Sequence, residues 1–145
     1  INKTGIGTAA NAHYGLDVGG KVRGDQFINN NPTSFTTGTI ALGTAAGTGP
    51  TLDTGVSEFW GNGGRLKFTS GTSPTANGVI CTVTLGTEYT FEECAPIMQG
   101  RTTNTGGFDY VGTFNSGTRV ITYTLIGTLA ASTAYEFNLI VSGHN

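Results

Sequence analysis

The chain has 145 residues, among them 24 glycines, with 11% charged residues and a formal net charge of −2. That length fits one ordinary domain with a modest core. The basic residues are scattered rather than clustered, so the sequence shows no strip for neutralising phosphates and no nucleic-acid partner is expected. No apolar run approaches the roughly 20 residues that a membrane helix needs, and the abundance of Thr, Gly and β-branched residues predicts an all-β chain.

In chain order, the first segment, GIGTAANAHYGLDVGGKVRGD from Gly5 to Asp25, holds two strand-like runs, Leu16-Asp17-Val18 and Lys21-Val22-Arg23. It has too few apolar side chains to bury a core alone. The start Ile1-Asn2-Lys3, without an initiator Met, is expected to mark a fragment or a processed product. After Asn29-Asn30-Asn31-Pro32 comes TTGTIALGTAAGTGPTLDTG, Thr36 to Gly55, nearly uncharged and poor in bulk. It reads either as an extended linker or as a strand that borrows a partner. Three parts result: a Gly-rich start over 1–28, a connecting extended segment over 29–55 and a compact β domain over 56–145.

From Val56 onward the sequence repeats short apolar or alternating runs punctuated by Gly, Thr, Ser, Asn or Pro, the spacing of antiparallel strands in a sandwich or barrel. Alternation places Val79, Cys81, Val83 and Leu85 on one face of a strand, and Tyr135, Phe137, Leu139 and Val141 inward with Glu136 and Asn138 outward. Further strands are predicted over Arg65 to Ser70, Ala95 to Gln99, Phe108 to Phe114 and Arg119 to Leu125. VICTVTL and FEECAPIM read as a hairpin about Thr87, which sets Cys81 opposite Cys94. A cross-strand bridge and two free thiols both fit that geometry, free thiols being the ordinary state in reducing cytoplasm.

Catalytic signals are weak. His13 and His144 lie at opposite ends of the chain and the cysteines lack a second pair, so zinc spacing is missing. No Ser sits in a G-x-S-x-G elbow. Adjacent Glu92 and Glu93 point to opposite faces of a strand and make no glycosidase pair. Arg23-Gly24-Asp25 reads as a surface ion pair, and Gly19-Gly20 and Gly61-Asn62-Gly63-Gly64 read as turns, since no Lys-Ser or Lys-Thr follows them. The expectation is a non-enzymatic protein without catalytic residues, cofactor or metal.

Aromatic residues beside polar loops carry the binding signal. The single Trp, Trp60, adjoins a Gly/Asn turn, and Phe108-Asp109-Tyr110 follows the polar loop from Arg101 to Gly107. Ring faces beside directed hydrogen-bonding groups are what a sugar requires. Trp60, Arg101, Asn104, Asp109 and Tyr110 form the candidate contact set. The competing readings are that Trp60 fills the core and that alternation turns Phe108 and Tyr110 to one face, putting at least one ring inside.

Gly5-Ile6-Gly7-Thr8, an insert, and then Gly15-Leu16-Asp17-Val18-Gly19-Gly20-Lys21-Val22-Arg23 resembles the GIGT…LDV.G..R element of tailed-bacteriophage trimeric fibres. Thr69 to Gly78 leading into Val79 to Leu85, and Leu129 to Tyr135 leading into the last strand, are similar to the C-terminal domain of such fibres. The polar run Thr90-Phe91-Glu92-Glu93-Cys94 departs from the family, which is more apolar there. The resemblance implies an intertwined homotrimer: a short Gly-rich stalk, with Ile6, Leu16, Val18 and Val22 at the three-fold axis, then an antiparallel, jelly-roll-like β-sandwich tip. The alternative for residues 1 to 25 is an edge strand on the domain's own sheet. The implied role is adhesion by a virion fibre, tail or capsid, assembled in host cytoplasm and extracellular when functional. Its partners would be its own copies, a host-surface glycan or protein and other virion proteins, with no membrane insertion. The rivals are a purely structural capsid or neck decoration fibre, a secreted carbohydrate-binding module, and a depolymerase with its site between chains. A metal shared on the three-fold axis stays open.

Overall fold

The computed structural model describes residues 38–60, 63–87, 93–105 and 107–144. The expectations for the stalk, including Ile6, Leu16, Val18, Val22, His13 and Arg23-Gly24-Asp25, lie outside the described residues.

The described chain is all-β. Its strands are β1 (Thr39–Leu42), β2 (Thr51–Leu52), β3 (Glu58–Trp60), β4 (Gly63–Thr69), β5 (Val79–Thr84), β6 (Glu93–Gly100), β7 (Asp109–Asn115), β8 (Val120–Ile126) and β9 (Ala134–His144). They make two antiparallel sheets. Sheet A has the order β1-β5-β8-β7, and sheet B has the order β2-β4-β9-β6, with β3 pairing β4 on the same side as β2. Both sheets contribute to one hydrophobic core. Tyr123, Ile121, Leu125 and Val83 enter it from sheet A, and Phe59, Leu66, Phe68, Phe137 and Leu139 from sheet B.

Period-2 patterning produced this division. Tyr135, Phe137, Leu139 and Val141 are all buried while Glu136, Asn138 and Ile140 point away. Along β5 the alternation is interrupted, because the register with β8 shifts between Val79 and Cys81. That irregularity lets Ile80 and Cys81, adjacent in sequence, both be buried.

One expectation is corrected and one open choice is resolved. The hairpin of VICTVTL with FEECAPIM does not form: β5 pairs with β1 and β8 in sheet A, and β6 pairs with β9 in sheet B. Cys81 and Cys94 therefore lie in different sheets and are free thiols. Inward-facing apolar residues on both runs explain the outcome, since each strand gains more from a face of the core than from a two-stranded ribbon. Of the two readings of Thr36 to Gly55, the strand that borrows a partner is the one found over residues 38–55. Here β1 borrows β5 as its partner, and the 3-10 turn Thr44–Ala46 buries Ala45 and Ala46 completely.

The free edges of the two sheets are brought together. On one side the Gly38 N–H donates to the Phe59 carbonyl at 3.0 Å, which ties the entry to β1 to β3. On the other, Gly112 of β7 lies so close to Pro96 of β6 that a Cβ would collide with the Pro96 carbonyl. Glycine is required there by close approach. The segments Thr69 to Gly78 and Leu129 to Tyr135 also meet: the Ser70 hydroxyl donates to the Ala130 carbonyl at 2.6 Å and accepts from the Thr133 N–H at 3.0 Å.

Candidate functional site

The antiparallel register of sheet B lines up its outward side chains in rows. One row runs Trp60, Gly63, Ile140, Ile97 across β3, β4, β9 and β6. Trp60, Ile140 and Ile97 are 37%, 41% and 53% exposed, so the row is an apolar strip on the surface, with Gly63 as a side-chain-free floor beside the indole. The next row is polar: Glu58, Arg65, Asn138, Gln99. Beyond it stand Lys67 and Glu136, with Arg101 joining where its N–H donates to the Glu136 carbonyl at 2.8 Å.

Hydrogen bonds hold these polar groups in place. The Trp60 indole N–H donates to Glu58 Oε2 at 2.7 Å, which fixes the ring over the sheet edge. Arg65 Nε donates to Glu136 Oε1 at 2.8 Å, and Arg101 Nε lies 2.8 Å from the same oxygen. Arg101 also donates to Asn138 Oδ1 at 3.1 Å, and Lys67 pairs with Asp53 at 3.0 Å. The face thus offers a fixed aromatic edge, an apolar strip and an ordered set of amide, carboxylate and guanidinium groups.

The five candidate contact residues divide among four places. Trp60 lies on the outer side of sheet B rather than in the core, and Arg101 stands on the same side at the far end of β6. Asn104 is in the 3-10 turn Thr103–Thr105 near by, with its amide donating to the Ala134 carbonyl at 3.1 Å. Asp109 is exposed on the outer face of sheet A, where it opposes Ile126. Tyr110 turns inward: its ring meets Phe137 edge-on at 5.5 Å and its hydroxyl donates to the Thr105 carbonyl at 3.3 Å. Burial pushes the Tyr110 phenol up to about 12, with Tyr135 adding to the effect.

Arg65, Gln99, Ile97, Asn138 and Ile140 belong to this face but were absent from the candidate set. Parity in the last strand already turned Asn138 outward and, by the same count, Ile140. The pairing of β9 with β4 and β6, which brings Arg65 and Ile97 alongside, is nonlocal and had no local signal.

Among the described residues no group of three or more His, Cys, Asp or Glu side chains is placed to hold a metal ion. No helix among them is long and apolar enough to cross a membrane. Comparison of the chain with protein-family models, with curated proteins and with solved structures found no match.

Proposed function

We infer that this chain is the distal part of a trimeric virion fibre, non-enzymatic, whose β-sandwich tip binds a host-surface glycan weakly and gains strength from three linked copies. The observation that carries the adhesive reading is the exposed strip of Trp60, Gly63, Ile140 and Ile97 alongside the polar row of Glu58, Arg65, Asn138 and Gln99. A pyranose ring stacks on an aromatic or aliphatic face while its hydroxyls need amide and charged partners within reach, and both elements adjoin here. Three such faces on one particle raise avidity without any single tight contact.

The trimer is supported by the GIGT…LDVGG resemblance of the opening segment and by the contrast between the two outer faces. The strands of sheet A contain one charged residue, Asp109, and expose Thr82, Thr84, Thr122 and Thr124 or leave them half-buried. Depletion of charge is the compositional mark of an interface core. A second reading, a secreted monomeric carbohydrate-binding module, is favoured by the single core that the described strands form within one chain.

The test is native molar mass by light scattering, followed by calorimetric titration of neutral and acidic oligosaccharides into the wild type and Trp60→Ala. A trimer whose sugar binding is lost in Trp60→Ala supports the fibre reading. A monomer with the same loss selects the binding module. An intact, folded protein that binds no sugar removes the adhesive reading of this face.

A further inference from the structure

Resting on the glycan-binding reading, we propose that the outer face of sheet B takes an extended acidic oligosaccharide. One ring stacks at Trp60, and a sugar carboxylate engages the Arg101 guanidinium at the opposite corner.

The charge assignment follows from how the ionic groups are partnered. Glu136 Oε1 receives Arg65 Nε at 2.8 Å, Arg65 Nη2 at 2.7 Å and Arg101 Nε at 2.8 Å. Two guanidinium groups thus share one carboxylate, and the cluster carries one uncompensated positive charge. Lys67 is matched by Asp53 at 3.0 Å, and Glu58, which keeps its charge while accepting from the Trp60 indole at 2.7 Å, balances the face as a whole from the opposite edge. Glu58 stands opposite Arg65 in the register, so the surplus is felt most at Arg101, three strands away from it.

Arg101 is built to present that charge. Nε faces Glu136 and Nη1 donates to Asn138 Oδ1 at 3.1 Å, while Nη2 has no protein partner among the described residues. The side chain is 41% exposed and held on two sides. The N–H donors left over on this pre-oriented guanidinium form charge-assisted hydrogen bonds with a carboxylate, about twice as strong as those with a neutral hydroxyl. Asn138 in turn reaches Gln99 Oε1 at 3.5 Å, giving a line of amides between the apolar strip and the guanidinium.

The length assignment follows from the sheet. From Trp60 to Arg101 the path crosses β4 and β9 to the line of β6 and runs from the Ile97 row to the Arg101 row. Strand spacing and rise make that diagonal roughly 20 Å, beyond a disaccharide and within the span of about four linked sugars.

The experiment uses the full chain and calorimetric titration with three probes: oligogalacturonates of two and six residues, and neutral maltohexaose. The wild type is expected to prefer the acidic hexamer over the neutral one by about fivefold, the scale of one exposed charge contact. Raising the salt should erase that preference, and the acidic dimer should bind more weakly than the hexamer. Arg101→Gln should bind both hexamers equally, and Trp60→Ala should lose both. If the neutral hexamer binds through Trp60 with no acidic preference, the inference falls and the glycan-binding reading stands. If neither hexamer binds, both fall. Should Arg101→Gln unfold, the salt dependence of the wild type still decides, because a preference unaffected by salt overturns the role of the cationic cluster.

Discussion

Tyr110 separates the contact reading drawn from its neighbourhood in sequence from the strut that its geometry describes. Its ring bridges the sheets, since β7 belongs to sheet A and Phe137 to β9 of sheet B. Phe137 is fully buried and also stacks near Phe68 at 6.3 Å and Tyr135 at 6.4 Å, so Tyr110 closes one side of an aromatic cluster. Tyr110→Phe keeps the edge-on contact at 5.5 Å and removes only a long hydrogen bond of 3.3 Å to the Thr105 carbonyl. The expected cost is about 0.5 kcal/mol, the low end of a net hydrogen bond. Tyr110→Ala removes a half-buried ring, and scaling down from the 3–5 kcal/mol of a fully buried aromatic gives about 2 kcal/mol. Combined with Phe137→Leu in a double-mutant cycle, Tyr110→Ala should show a coupling of about 0.5–1.5 kcal/mol, the range for a T-shaped pair. Urea unfolding of the wild type, Tyr110→Phe and the three variants of the cycle, read by circular dichroism, measures all of these. Strict additivity, or a Tyr110→Ala variant as stable as the wild type, would refute the strut. Loss of sugar binding in a fully stable Tyr110→Phe variant would restore its contact role.

Cys81 is fully buried and Cys94 half-buried, in different sheets, and burial pushes both thiols up. A thiolate-selective reagent should therefore leave Cys81 unmodified in the native protein and label both residues in denaturant; rapid native labelling at Cys81, read by peptide mass, would contradict the core placement. Alkaline pH should destabilise the fold. Cys81, Tyr110 and Tyr123 have their ionisation raised by burial, from 9.0 for the thiol and 10.0 for the phenols, so the folded state keeps protons that the unfolded state releases. Their contribution is complete below pH 9.0 and is lost as pH rises, continuing to about 12 for Tyr110. Urea midpoints that hold constant from pH 9 to 11 would contradict it.

Most of the strands were legible because their patterning is local. The alternation Tyr135 to Val141 needed no partner to be read, and the strands around Leu66, Ile97, Val111 and Tyr123 fall where their apolar runs are. The short strands β1, β2 and β3 were not separately legible, because TIAL, TL and EFW are too short for periodicity and acquire strand geometry only through β5 and β4. The hairpin about Thr87 was misread for a related reason: two alternating runs joined by a turn look alike whether they pair or cross between sheets. Trp60 shows the limit for sites. Its position beside a glycine turn was visible, but its exposure depends on β3 pairing with β4, and its companions Ile140 and Arg65 are distant in sequence.

The two glycines facing β3 have different reasons to be there, and that difference gives a sharp test of the face. Gly64 is required by packing, since a Cβ would collide with the Glu58 carbonyl and prise β3 from β4. Gly63 is one residue away on the outward side, and the nearest atom to a Cβ there is the Leu139 carbonyl oxygen at 3.2 Å, a tight contact that requires the backbone to give by a few tenths of an ångström. Gly63→Ala reduces the freedom of the unfolded chain, worth about 0.4–1 kcal/mol in favour of folding where the backbone accepts Ala. The tight contact offsets part of that, so the expected change in stability lies within about 0.5 kcal/mol of zero. Binding should respond differently, because the methyl group rises from the floor between the Trp60 indole and Ile140, where a pyranose ring would lie. Maltohexaose affinity should fall several-fold while the urea midpoint stays in place. An unchanged affinity would mean that the sugar does not lie against Trp60 from the Gly63 side, and the glycan-binding reading of this strip would lose its geometric basis.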